Sequence, residues 1–506
     1  MEVNISEAKD SENFSLISKV FFLLLISYYL FNFTGHSSLK FAFPLLLVLA
    51  SLAILWERSL INALCPVLAM IFVIGQGKVL WSYHPFFHIA FDYLQILFIF
   101  KVIYRRKKFL HIEAIPLIIL IPIILHFLWY LAQLFNIYNV GFIGTLAAGR
   151  AYILPIIFFF AIINTPVENE KSNLINLSKV CLFSFLGFSA LSVFQFYKGQ
   201  DFLIGMASYY QVIMGLAFID DFFRPFATTE LPGGYSVYFF TLSALILMSQ
   251  LSNRLAFFFY TVILPLTLFS AIISQVRSAY IKYFFILILS CLVIMIASKI
   301  KPLDLVKKLI PGLMIVSILS IFSFNFFDQL DLENTIMRAT SIFDSQVVGQ
   351  TRSGPEAVLN AIITRIGEKP LGLGPGRTGA AAGFSRHIIM NDPVYGLEYS
   401  WAFDNLFVSL ATDLGFGMFI YVFLLIAILI YLLKSSYSLY RAGDMQSFRL
   451  VSIAFITCFI TFLGNWGAIG LVYNPEAFSF WLLTGLAFKI IFIARKKRQR
   501  DCDVRS

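Results

Sequence analysis

The feature that most constrains this chain is the length of its apolar runs. Stretches of roughly 17 to 24 residues pass with almost no charge, the length that crosses a ~30 Å hydrocarbon core as a helix. Water is absent there, so each backbone N–H and C=O must find a partner within the protein, and helices supply one. Composition agrees: 59% of the 506 residues are hydrophobic and 13% are charged, against roughly 45–50% and about 25% in soluble domains. An ordinary soluble domain is excluded. The expected fold class is an all-α polytopic membrane protein of about 12–14 transmembrane helices with one long, partly helical loop on the outer side.

The candidate spans are 16–34, 40–56, 59–75, 87–104, 113–135, 148–164, 176–197, 234–250, 255–274, 279–298, 309–326, 403–433, 449–466 and 468–492. Four basic clusters lie beside them, at Arg105–Lys108, Lys299–Lys308, Lys434–Arg449 and Arg495–Arg500, and the positive-inside rule places all four in the cytoplasm. Six, two and two spans separate successive clusters. Every count is even, so the clusters agree on one side, and the four spans before Arg105 put the N-terminus there too. The run 403–433 is too long for one straight helix and contains Asp413 and Gly415, which suits a broken helix. The expected organisation is therefore spans 1–11 within 1–326, a long outward loop at 327–402, and further spans with a basic tail in 403–506.

Several chemistries drop out. Cys65, Cys181, Cys291 and Cys458 sit in apolar runs, Cys502 sits in the tail, and none forms a CxxC pair, which argues against a disulfide scaffold or a zinc site. His36, His84, His88, His111 and His126 show no metal-ligand spacing, so neither metal nor cofactor is expected. The net charge of +10 comes from short clusters beside spans, which orient the protein more simply than they bind nucleic acid. The polar, acidic first residues do not read as a removable signal peptide.

What remains is a set of charges on the outer side. A charge at the centre of a bilayer costs from about 2.5 kcal/mol upward, and one between two apolar runs still needs a reason to be there. Arg277, in SQVRSAY, lies between two apolar runs: it either snorkels to the interface or grips an anion, because a guanidinium holds phosphate oxygens bidentately. Arg224, in DDFFRPFATTELPGG, is either paired with Asp220 or Asp221 or part of the same pocket, and Arg150 closes the outer end of its span. The 327–402 loop holds six Lys/Arg and eight Asp/Glu; EAVLNAIITRIGEKP has helical apolar spacing at Val358, Ile362 and Ile366, and GLGPGRTG around Arg377 reads as a tight turn. Arg352 and His387 lie in the same loop. Asp404, beside Asn405, stands where the loop returns to the membrane, as a helix cap or as a base.

Taken in order, these segments resemble the bacterial O-antigen polymerase and O-antigen ligase family (Wzy and WaaL) over about residues 140–435. RPFATTELPGGYSVYFF is similar to the family's Arg-Pro-Phe-Gly-Thr segment, and SQVRSAYIKYFFILIL to its small-polar-Arg-small-aromatic segment. The stretch from Arg352 to Gly376 resembles the loop helix followed by Pro-Leu-x-Gly-x-Gly-x-Gly, and FDNLFVSLATDLGFGMFIYVFLL resembles the Asn-aromatic-Leu…Glu-x-Gly-x-x-Gly opening of the next helix. The resemblance implies a metal-independent GT-C glycosyltransferase of the inner membrane, facing the periplasm and using glycans carried on undecaprenyl diphosphate. It assigns diphosphate binding to Arg277 and Arg224, with Arg150 and Arg352 beside them; Arg377 and Asn405 stand from the residues themselves as substrate-binding candidates, and Asp404 and His387 as candidate bases. Ligases often have His-Asn where this chain has Asp404-Asn405, which favours a polymerase over a ligase. Chain-length regulators and flippases are the protein partners such an enzyme implies. A lipid-linked oligosaccharide transporter is the reading from another class; it would be expected to show two repeated halves, and the sequence shows no such repeat.

Overall fold

The computed structural model describes residues 14–105, 112–139, 141–165, 170–216, 218–219, 222–231, 258–274, 276–298, 355–378, 405–467, 471 and 476–503. They form an all-α multi-pass membrane protein. Six helices are long and apolar enough to cross a bilayer: Leu39–Trp56, Phe142–Ile163, Leu174–Lys198, Gly417–Arg441, Met445–Gly464 and Glu476–Arg500. A seventh crossing is made by Leu60–Met70 and Ile74–Leu80 if that pair, bent by 45°, is one broken span. Leu16–Asn32, Leu117–Gln133, Leu264–Ser274 and Lys282–Ser298 are shorter apolar helices. Among the described residues the strand pairing is confined to a two-residue antiparallel pair, Phe218–Ile219 with Phe222–Phe223. The expected spans 234–250 and 309–326 lie outside the described residues.

The chain divides into two compact units, one from Met1–Phe109, Thr165–Phe284 and Ile294–Ile336, the other from Leu110–Asn164, Phe285–Val293 and Met337–Ser506. In the first unit, Leu39–Trp56 packs against Leu16–Asn32, the broken span and Ala90–Arg105, while Leu174–Lys198 covers the broken span from another side. Lys101, buried in this apolar surrounding, donates to the carbonyls of Ile54 and Glu57 at the C-terminal end of Leu39–Trp56. Those carbonyls have no partner within their own helix, and a cation there also meets the negative end of the helix dipole.

The bend at Met70–Ile74 has a specific cause. In a continuous helix the Gln76 N–H would bond the Phe72 carbonyl; here Thr228 inserts between them. Its carbonyl accepts from the Gln76 N–H at 2.7 Å, and its hydroxyl donates to the Phe72 carbonyl. One residue thus replaces both halves of a broken ladder bond, and the helix kinks where the insertion occurs. The chain comes close enough that a Cβ on Gly75 would stand 2.6 Å from the Glu230 backbone nitrogen. Lys78 then pairs with Glu230 at 3.0 Å, with both side chains largely buried.

In the second unit, Glu476–Asp503 packs on Leu154–Ile163 and on Met445–Gly464, and Gly417–Arg441 packs on Met445–Gly464 and Leu117–Gln133. Gly485 permits the first contact: a Cβ there would lie 2.9 Å from Ile162. The expected run 403–433 is two helices, Leu406–Leu414 and Gly417–Arg441, separated at Gly415, whose φ of +56° L-residues with a Cβ rarely adopt.

Thr228→Val keeps the shape of the insertion but strands the buried Phe72 carbonyl. It should lower stability by about 1–3 kcal/mol, whereas Thr228→Ser should stay within about 1 kcal/mol of wild type. Thermal unfolding of the purified protein in detergent checks the ranking.

Candidate functional site

The tightest polar construction of the second unit lies at that break. The helix Pro355–Glu368 buries Val358, Ile362 and Ile366 and leaves Leu359 and Ile363 exposed, as its apolar spacing predicts, and it packs on Leu406–Leu414. The chain then turns through Gly372, Gly374 and Gly376, at φ +77°, +87° and +101°, to reach Arg377 and Thr378. This turn satisfies the end of the short helix. The last four carbonyls of Leu406–Leu414 are taken in order: Ala411 by the Gly415 N–H, Thr412 by the Leu373 N–H at 2.7 Å, Asp413 by the Gly374 N–H at 3.1 Å, and Leu414 by the Trp129 indole N–H at 2.9 Å. The Phe416 N–H, at the start of the next helix, donates to the Pro370 carbonyl at 2.8 Å. The turn's own carbonyls are held by the side-chain amides of Gln133, on Leu371 at 2.7 Å, and Asn136, on Gly372 at 3.0 Å.

Asp413 is the centre of this construction. Its side chain is fully buried and accepts the Tyr152 hydroxyl at 2.8 Å, the Thr378 hydroxyl at 2.9 Å and the Gly376 N–H at 3.3 Å. Two of those donors flank Arg377, so the carboxylate fixes the backbone on either side of the arginine. Three neutral donors therefore meet the Asp413 carboxyl, which suits a polar side chain buried in an apolar run. Arg377 is half-buried and donates through Nη2 to the Tyr138 carbonyl at 3.0 Å, while the Lys369 ammonium lies 3.9 Å over the Tyr138 ring. The result is a rigid turn with two cations at its edge, which suits contact with an anion.

The other sequence-derived residues fall as follows. Asn405 is buried and caps Leu406–Leu414, accepting from the N–H groups of Phe407 and Val408 and donating to the Trp466 carbonyl. The cap expected of Asp404 is thus supplied by its neighbour. Arg150 was expected at the outer end of a span 148–164; the helix instead begins at Phe142, so Arg150 sits two turns inside it, half-buried and close in sequence to Tyr152. Arg150, Arg377 and Asn405 belong to the second unit, and Arg224 and Arg277 to the first. Arg224 is half-buried and follows the strand pair, just before the turn at Phe226–Glu230. That turn is anchored by Gln195, which accepts the Ala227 N–H at 2.7 Å and donates to the Ala227 carbonyl at 3.0 Å, and by Thr228 and Glu230 as above. Arg277 opens the helix Arg277–Ser298. Its side chain, and the whole of Asp404, His387 and Arg352, lie outside the described residues.

Sequence reasoning missed Asp413, Tyr152 and Thr378 as site residues. A signal existed for the first: a carboxylate in an apolar run needs buried donors, and a Gly-rich turn is a source of them. Compared with known proteins, the chain matches no family model and no curated sequence.

Asp413→Asn exchanges an acceptor oxygen for an N–H₂ facing donors and should cost about 1–3 kcal/mol. Thermal melts of the two proteins in detergent check the difference.

Proposed function

We propose that this protein is a polysaccharide polymerase of the inner membrane, transferring a glycan from undecaprenyl diphosphate to the next lipid-linked repeat unit at the periplasmic face. The observation that carries the reading is the keyed turn. The loop segment and the helix-opening segment that the family resemblance pairs are one packed body here, joined through Asp413 and presenting Arg377. Support also comes from the Arg224 segment, which is fastened to a broken span rather than left as a loose loop.

In this mechanism a sugar hydroxyl of the acceptor repeat attacks the anomeric carbon of the lipid-linked donor. The bond from that carbon to the diphosphate oxygen breaks, undecaprenyl diphosphate leaves, and the hydroxyl proton passes to a base, Asp404 or His387. Arg277 and Arg224 hold the diphosphate and stabilise the charge that grows on it, the kind of electrostatic help that is strongest where water is excluded. Arg150, Arg352 and Arg377 are the further cations assigned to the glycan carrier, while Asn405, buried as the cap of Leu406–Leu414, serves the fold instead. A chain-length regulator and a flippase are the proteins such an enzyme works beside.

Purified protein given a defined undecaprenyl-diphosphate repeat, with no added metal, should make polymer. Arg277→Ala and Arg277→Lys should insert normally and lose at least about 100-fold in turnover; a normal chain-length distribution from either variant ends the assigned role. Deleting a ligase would instead strand long glycan on the lipid carrier, so analysis of carrier-linked glycan in a deletion strain separates the two enzymes.

A further inference from the structure

One end of the second unit holds a buried charge that no described carboxylate balances. Helices Gly417–Arg441 and Met445–Gly464 form an antiparallel hairpin, closed at Gly443 with φ +74° and clamped where the Ser436 and Ser452 hydroxyls meet at 2.5 Å. Glu476–Asp503 runs antiparallel to the second of these, with Cys458 against Thr484 at 3.5 Å, and closes on the first through Tyr431 and Phe488, whose rings are 4.7 Å apart. Extending that register puts Arg449 within a turn of Phe492.

Arg449 is only 3% exposed, its Nε has no hydrogen-bond partner, and among the described residues no carboxylate pairs with it. Asp444, the acid closest to it in sequence, is already committed as the cap of the Ser447 N–H at 3.1 Å. Glu113, on a short turn packed against Glu476–Asp503, is exposed. A helical side chain leans toward the N-terminus of its helix, so the guanidinium points to the end of the bundle. There Arg441, Arg495 and Lys496 are exposed, with Arg495 lying 5.4 Å over the Tyr431 ring. Burying a cation without a counter-charge is costly, and surrounding it with further cations adds to the cost. An anion at this end relieves both.

We propose that this end of the bundle binds the phosphate group of an anionic phospholipid, with Arg449 holding two phosphate oxygens and Arg495 and Lys496 closing over the headgroup. A planar guanidinium suits bidentate phosphate contact, and basic residues beside membrane helices are drawn to anionic headgroups. The site is independent of the glycan chemistry assigned above.

The test is thermal unfolding of the full-length protein in neutral detergent with added phosphatidylglycerol, phosphatidylcholine or inorganic phosphate. Phosphatidylglycerol should raise the midpoint by a few degrees, with the other two giving no shift. Arg449→Met should unfold no lower than wild type in phosphatidylcholine, because it removes a buried charge, and should lose the phosphatidylglycerol shift; Arg449→Lys should keep a smaller one. A full shift in Arg449→Met, or equal shifts from both lipids, overturns the site. A shift from inorganic phosphate alone overturns the lipid as its ligand. If Arg449→Met fails to fold, the exposed pair Arg495→Gln/Lys496→Gln takes its place: a weakened shift supports the proposal, and an unchanged one rejects it.

Discussion

The interaction on which the rest of this structure depends is the backbone hydrogen bond at the places where a helix stops inside an apolar chain. A continuous helix satisfies itself, but a break releases N–H and C=O groups into surroundings without water, at a cost of several kcal/mol for each group left unpaired. Breaks are therefore tolerated only where another segment of the protein supplies the missing partners. Both breaks described here obey that rule in detail. Thr228 replaces a single ladder bond between Phe72 and Gln76, and the Gly372–Thr378 turn, with Trp129, answers the carbonyls that Leu406–Leu414 leaves open.

This accounting explains why the unusual segments of the sequence are the ones that pack into the breaks. A strand of backbone can lie against the end of a helix only if little side chain intervenes and if its own dihedrals can turn sharply. Gly372 meets both needs: its φ is +77°, and a Cβ there would stand 2.6 Å from the Asp413 carbonyl oxygen. Ala227 takes on a similar conformation, with φ +49°, at the position where the resembled Arg-Pro-Phe-Gly-Thr segment has glycine. A left-handed alanine costs about 1–2 kcal/mol, and the two Gln195 hydrogen bonds to its backbone are what hold it there.

Much of the helical frame was legible from run length alone, because the bilayer imposes a single solution on a long apolar segment. The split of 403–433 was legible too, from a carboxylate and a glycine where a continuous span has neither. Asn405 as the cap of the short helix was half-visible: the position was right, and the residue was the neighbour of the one singled out. The Asp413 network could not be read, because it joins residues 152, 376, 378 and 413. Nothing in local periodicity links a tyrosine in one span to a turn more than 200 positions later. The extra length at the start of Phe142–Ile163 was missed because Gly141 and the residues after it are weakly apolar, yet Tyr130 accepts the resulting geometry by donating to the Thr145 carbonyl.

Charge inside this protein follows the same logic as backbone, with one difference. A carboxylate such as Asp413 can be answered by neutral donors, and here three are in place, so no cation is needed beside it. A buried ammonium or guanidinium must instead find carbonyls or acids. Lys101 takes helix-end carbonyls and Lys78 takes Glu230, so each cation also fastens two helices or a helix and a turn. Replacing the Lys78–Glu230 pair by apolar residues of equal volume need not weaken the fold, since desolvation offsets most of the attraction, whereas an apolar residue at Lys101 would strand the carbonyls it holds. Their value is positional: the Lys78–Glu230 pair accepts one register of the Phe226–Glu230 turn against Ile74–Leu80, and that register is also the one that brings Thr228 into the broken ladder.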